Sequence, residues 1–189
     1  DLVVVEFENR HEDHVLRALF PTGISTAQHA DSGGHFTVDR RPIRPAGPTA
    51  NSVWPDMATL PHNHFVDVSD GDVGLAFLND GLTEYEVLDN SDRTVALSLL
   101  RATRNWLCTE RGGSTFESQK GGQCLGKHTL RYWVRPHGGN WESTNLPLEG
   151  LKVNASCIPV QTNRHQGTLP AGQKSFFKID NEKICFSAV

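Results

Sequence analysis

His62 and His64 stand two residues apart, just ahead of Asp67 and Asp70, and on a strand residues two apart point to one face. Two imidazoles with a carboxylate nearby are donors that a transition metal accepts. A hydrolytic zinc would further require a third ligand, an open coordination position and a neighbouring base. With nine histidines in 189 residues, one such pair arises by chance, and no metal is assigned to it. Asp31, Asp39, Asp80, Glu84 and Glu86 supply carboxylates, and glycoside hydrolysis needs two of them facing one sugar. Spacing pairs only Glu84 with Glu86. They flank Tyr85 on a strand and share a face, which leaves Tyr85 and Val87 on the opposite, buried face. Solvated turn and strand-face charges are the plain reading of each acid.

Gly121 to Lys127, GGQCLGK, has the spacing of a phosphate-binding loop, but His128 occupies the position of the magnesium-binding hydroxyl. Such a loop must open a helix, whereas Thr129–Val134 alternates as a strand, so no nucleotide site is expected. Trp54, Trp106, Trp133 and Trp141, with Tyr85 and Tyr132, could stack on sugar rings, although packing is the commoner use of aromatics in β-sandwiches. Trp133 and Tyr132 are neighbours on one strand and therefore face opposite ways. Cys108, Cys124, Cys157 and Cys185 form no CxxC pair and have no histidine at zinc-finger spacing, so reduced thiols are expected. Asn154-Ala155-Ser156 is a glycosylation sequon of the kind that arises by chance. No GxSxG motif and no nucleophile–base order is present.

The elements that must position these residues are strands. Val73, Leu75 and Phe77 alternate with Gly74, Ala76 and Leu78, and Val95, Leu97 and Leu99 alternate with smaller or polar neighbours. Asp70-Gly71 precedes the first run and Asn79-Asp80-Gly81 follows it, each glycine able to take the positive φ of a tight turn. Residues 65–101 therefore read as a β-meander with Glu84–Val87 as its middle strand. Further strands are expected at Leu2–Glu8, Val15–Phe20, Phe65–Val68, Thr94–Leu100, Thr129–Val134, Ser175–Ile179 and Lys183–Phe186. No segment of ten or more residues has helical periodicity. Short apolar runs punctuated by 17 Gly and 10 Pro favour an all-β sandwich or barrel over any α/β arrangement, and an antiparallel sandwich is the fold expected. Residues 40–64, with five prolines, and 109–127 read as long surface loops, which serve as binding elements or as arms against another domain.

The length suits a sizeable core without metal or disulfide staples, and residues 1–189 are expected to form one β-sandwich domain. A net charge of −4 with scattered Lys and Arg argues against nucleic acid as a partner. No apolar run approaches a membrane span, and DLVVVEF is too short and acidic for a signal peptide, so no membrane partner and a cytoplasmic location are expected. A start at Asp1 rather than Met, and an end within ICFSAV, suggest an excerpt of a longer polypeptide. A terminal strand cut in that way would leave an edge on which a homo-oligomer could form.

One family accounts for these features together. His14 to Thr22 (HVLRALFPT), Ala30-Asp31-Ser32 with Asp39 to Ile43 (DRRPI), the 65–101 block, Gln123 to His128 (QCLGKH), Arg131-Tyr132 and Pro136-His137 closely resemble the carboxy-terminal β-region of glycoside hydrolase family 38. The likeness is to its bacterial α-mannosidase and mannosylglycerate hydrolase branch. Pro147-Leu148, Val160 to Thr162 and Ser175–Val189 resemble later strands of that region.

The resemblance implies a galactose-mutarotase-like supersandwich that follows an α/β catalytic domain and a helical bundle. The family's aspartate nucleophile and zinc ligands belong to that catalytic part, and no residue here matches them. The chain is then expected to contain no cofactor and no catalytic residue of its own, with zinc in the parent enzyme's catalytic domain. That upstream domain is its expected partner, and a mannoside the substrate of the whole. Arg101 resembles an arginine bordering the substrate cleft, where its fork of donors could meet sugar hydroxyls. A free-standing carbohydrate-binding sandwich is the alternative, and a metal-dependent hydrolase using His62, His64 and Asp67 a third reading.

Overall fold

A computed structural model of the chain describes residues 1–44, 57–103, 120–155, 157–181 and 184. The chain divides into two units, 1–154 and 155–189. In the first, ten strands run in order: β1 (Leu2–Asn9), β2 (His14–Phe20), β3 (His29–Gly33), β4 (Val38–Pro42), β5 (Leu60–Pro61), β6 (Phe65–Ser69), β7 (Val73–Asn79), β8 (Glu84–Val87), β9 (Val95–Ala102) and β10 (Gly126–Gly138). A 3₁₀ turn at Lys120–Gln123 precedes β10, and a helix, α1 (Leu146–Asn154), follows it. All pairings are antiparallel. One sheet has the order β1-β10-β7-β6-β3-β4 and the other β2-β9-β8-β5. The fold is an all-β sandwich, as the period-2 runs require.

The core fills the space between the sheets. Val66, Val68, Phe77 and Tyr132 of the larger sheet meet Tyr85, Val95 and Leu97 of the smaller one. Phe20 from β2 packs on Phe77 and Tyr132, with ring centroids 5.0 and 5.8 Å apart. Tyr85 and Val87 point inward, as their alternation with Glu84 and Glu86 predicts.

The expected meander over 65–101 is not one sheet. β6 and β7 form a hairpin in the larger sheet, whereas β8 and β9 pair in the smaller one. The turn at Asn79-Asp80-Gly81 thus carries the chain across the sandwich. Local alternation is identical for either outcome, because it records that one face is buried and not which sheet buries it.

The 40–64 loop is also shorter than expected: β4 reaches Pro42, β5 uses Leu60–Pro61, and 45–56 lie outside the described residues. Within 109–127, residues 109–119 are likewise outside, and Gly126 already begins β10. The glycine-rich run therefore leads into a strand, as its alternation requires, and not into a phosphate-binding helix. The nine-residue α1 was not expected, being shorter than the window in which helical periodicity shows.

Helix α1 covers the outer face of the larger sheet. Leu146 is fully buried with Phe65, Ala76 and Leu78, and Val38, Trp133, Trp141 and Val153 pack around them. The helix sits close because Gly150 has no Cβ; one placed there would lie 2.7 Å from His64 Cβ. At its end Asn154 Nδ2 donates to the Asn79 carbonyl at 2.8 Å and to that of Gly150 at 2.9 Å. Both faces of β6 and β7 are thereby buried.

In the second unit the described residues contain no helix or strand. The expected strand at Ser175–Ile179 does not form there, and its Phe176 and Phe177 are exposed. Apolar residues alone do not make a strand without a partner edge to satisfy the backbone. The expected strand at Lys183–Phe186 falls outside the described residues apart from Ile184.

Candidate functional site

The outward face of the smaller sheet carries Arg17, Glu84, Glu86 and Arg101. Arg17 of β2 contacts Glu86 of β8 at 2.6 Å and donates to Thr59 Oγ1 at 3.1 Å. Beside them Glu84 accepts from Ser98 Oγ at 2.6 Å through one carboxylate oxygen and from Arg101 Nη1 at 3.3 Å through the other. Glu84 and Glu86 share a face, as their spacing predicts.

Arg101 reaches that face by way of a bulge. Strict alternation from Val95, Leu97 and Leu99, all in the core, would turn residue 101 inward. The pairing of β9 with β2 slips by one residue: Leu100 stands opposite Leu16, but Ser98 stands opposite Arg17. Leu99 is the extra residue of a β-bulge, which resets the alternation. Ser98 and Arg101, three apart, therefore hold the same carboxylate, and Ala102 is buried instead. With Gly81, Leu82, Thr83, Glu84, Leu99 and Leu100 they line a surface hollow of about 240 Å³. Gly81, at φ +102°, shapes its rim.

The other sequence candidates are dispersed. His62 is buried against Tyr85, edge-on at 5.3 Å, and its Nδ1 lies 3.2 Å from Asn79 Nδ2. Burial, aided by the nearby His64, lowers its pKa to about 4, so it is neutral at pH 7. Asp67 turns instead to His137, with 2.9 Å between Oδ1 and Nε2. The His62, His64 and Asp67 set is thus not assembled, and among the described residues no three His, Cys, Asp or Glu side chains are grouped to hold a metal.

Asp31 is gripped by Arg40 through two 2.8 Å bonds, Asp39 lies 3.6 Å from Arg41, and Asp80 pairs with Arg131. Asp70 accepts from the Thr26 hydroxyl at 2.7 Å and caps the β6–β7 turn by accepting from the Val73 and Asp72 amides, which in that order hold its carboxyl below the usual range. Trp133 and Trp141 pack under α1, and Tyr132 points the opposite way into the core. Trp54 and Trp106 lie outside the described residues. Cys124 and Cys157 are free thiols, and Cys108 and Cys185 also lie outside.

Sequence reasoning missed the buried Asp67–His137 pair. Its only local trace is Gly74, which faces His137 across the β7–β10 ladder. A Cβ at Gly74 would lie 2.3 Å from the imidazole.

Residues 3–105 match the model of the family described as "Glycosyl hydrolases family 38 C-terminal domain". A Halalkalibacterium halodurans protein named "Putative mannosylglycerate hydrolase" is 28% identical over 179 residues, which cover 92% of this chain and 18% of that protein. The crystal structure of an alpha-mannosidase from Enterococcus faecalis V583 superposes with a TM-score of 0.72 at 28% identity, covering 89% of this chain and 18% of the other. A second Enterococcus faecalis structure, of a protein in the glycosyl hydrolase family 38, gives 0.69 at 27% identity with the same coverage. The chain thus spans 18% of the length of each of these relatives.

Proposed function

The chain belongs to the glycosyl hydrolase family 38 C-terminal domains, and from that premise we propose that it is the non-catalytic carboxy-terminal β-domain of a zinc-dependent α-mannosidase-like enzyme, supporting the catalytic domain and bordering its substrate cleft. The observation that carries the reading is the family match over 3–105, which includes the bulged strand that turns Arg101 outward. Nucleophile and zinc would belong to the catalytic domain of the same polypeptide, which is the partner this reading requires. The chain's own share is rigid positioning: a packed sandwich fixes β9, the bulge aims Arg101, and its guanidinium offers donors to sugar hydroxyls.

The test compares this chain with the complete polypeptide encoded by its reading frame, both assayed on an aryl α-mannoside with and without zinc. Turnover is expected from the complete polypeptide and none from residues 1–189. Turnover by the purified chain above a boiled control would overturn the non-catalytic assignment. In the complete enzyme Arg101→Ala should raise KM more than it lowers kcat; unchanged KM and kcat would remove Arg101 from the cleft.

A further inference from the structure

Resting on that reading of Arg101, we propose that Glu84 and Ser98 are positioning residues that set the charge preference of the hollow, making it a site for a neutral, hydroxyl-rich ligand and excluding an anionic one. Three observations carry this. The guanidinium does not stand alone: Glu84 Oε2 lies 3.3 Å from Arg101 Nη1, so the two charges largely offset each other. Glu84 is itself fixed, because its other oxygen accepts from Ser98 Oγ at 2.6 Å, and both holders come from the one bulged strand. Among the described residues no second cationic side chain lines the hollow, whose other walls are Gly81, Leu82, Thr83, Leu99 and Leu100.

The chemistry of recognition follows. Among the described residues the carboxylate engages one guanidinium N–H, and the fork carries further donors that can meet a ligand. An ionised glutamate can only accept hydrogen bonds, and an arginine can only donate them. A hydroxyl does both, so adjacent ring hydroxyls can accept from Arg101 while donating to Glu84. A ligand carboxylate could satisfy only the arginine and would bring like charge against Glu84. Removing the charge of Glu84 should therefore change which ligand is favoured, not merely how tightly it binds.

The experiment follows the Arg101 Nε–Hε resonance of the isotopically labelled chain during titration with methyl α-D-mannopyranoside or D-glycerate, each to roughly 0.1 M, a range that registers weak millimolar binding. Backbone amides distant from the hollow report that the fold is retained. The wild type should bind the mannoside at least about fivefold more tightly than glycerate. Glu84→Gln should lose that preference or reverse it, and Ser98→Ala should weaken it. Equal or tighter glycerate binding by the wild type overturns the proposal, as does an unchanged preference in Glu84→Gln. Absence of any response to either ligand also overturns it, while the family-38 reading is judged separately by turnover of the complete polypeptide.

Discussion

His137 and Asp67, 70 residues apart in sequence, meet at 2.9 Å across an intervening strand, with both side chains almost wholly buried. β10 and β6 are not neighbours; β7 lies between them, and its Gly74 leaves the space through which the imidazole reaches the carboxylate. Burial raises the Asp67 pKa, and the hydrogen bond and charge of His137 oppose that rise. The pair fastens the end of β10 onto the sheet just before the turn that leads to α1.

Gly74→Ala should therefore be costly, because its methyl would displace the imidazole and leave a buried carboxylate without its partner. We expect a loss of about 2–4 kcal/mol in urea unfolding. Gly71→Ala is the control: Gly71 has φ +100° but nothing within 4 Å of an added Cβ, so only backbone strain of about 1 kcal/mol is expected. Equal losses in the two variants would show that His137 does not depend on the space over Gly74.

Stability should fall as pH drops from 6.5 towards 4 because of His62. Its folded-state pKa of about 4 lies below the unfolded value of 6.5, so across that window the unfolded chain binds a proton that the folded chain refuses. The contribution is fully present above pH 6.5 and amounts to about 3 kcal/mol. Asp67 acts in the opposite sense, since its raised pKa favours the folded state at low pH and that benefit fades as pH rises past it. Comparing unfolding free energies of wild type and His62→Gln at pH 7 and pH 4 isolates the histidine. A difference between the two proteins that does not vary with pH would contradict the assignment.

Gly81→Val places a β-branched side chain at φ +102°, and with no atom within 4 Å of the new Cβ the penalty is conformational. A loss of about 1–3 kcal/mol is expected. An unchanged melting temperature would mean that the crossing between the sheets tolerates a negative φ at this position.

Asn154→Ala removes two hydrogen bonds that tie the end of α1 to the Asn79 and Gly150 carbonyls. The expected cost is about 1–2 kcal/mol, accompanied by faster amide exchange across α1. Exchange in α1 matching the wild type would show that apolar contacts at Leu146 and Val153 alone hold the helix.

What the sequence by itself determined is local. Period-2 alternation located β1, β2, β6, β7, β8, β9 and β10, turned Tyr85 and Val87 inward, and put Glu84 beside Glu86. Gly71 and Gly81 take the positive φ that their turn dipeptides indicate. These features depend on near neighbours and backbone sterics, which a linear sequence records. Only the tertiary structure decided that β6–β7 and β8–β9 belong to different sheets, since identical alternation serves either sheet. Burial of the second face of β6 and β7 waited on α1, a helix too short to announce itself by period. Arg101 is the sharpest case: alternation alone turns it into the core, and a one-residue slip against β2 turns it outward beside Ser98 and Glu84. A bulge is a property of two strands in register, so neither strand carries it alone.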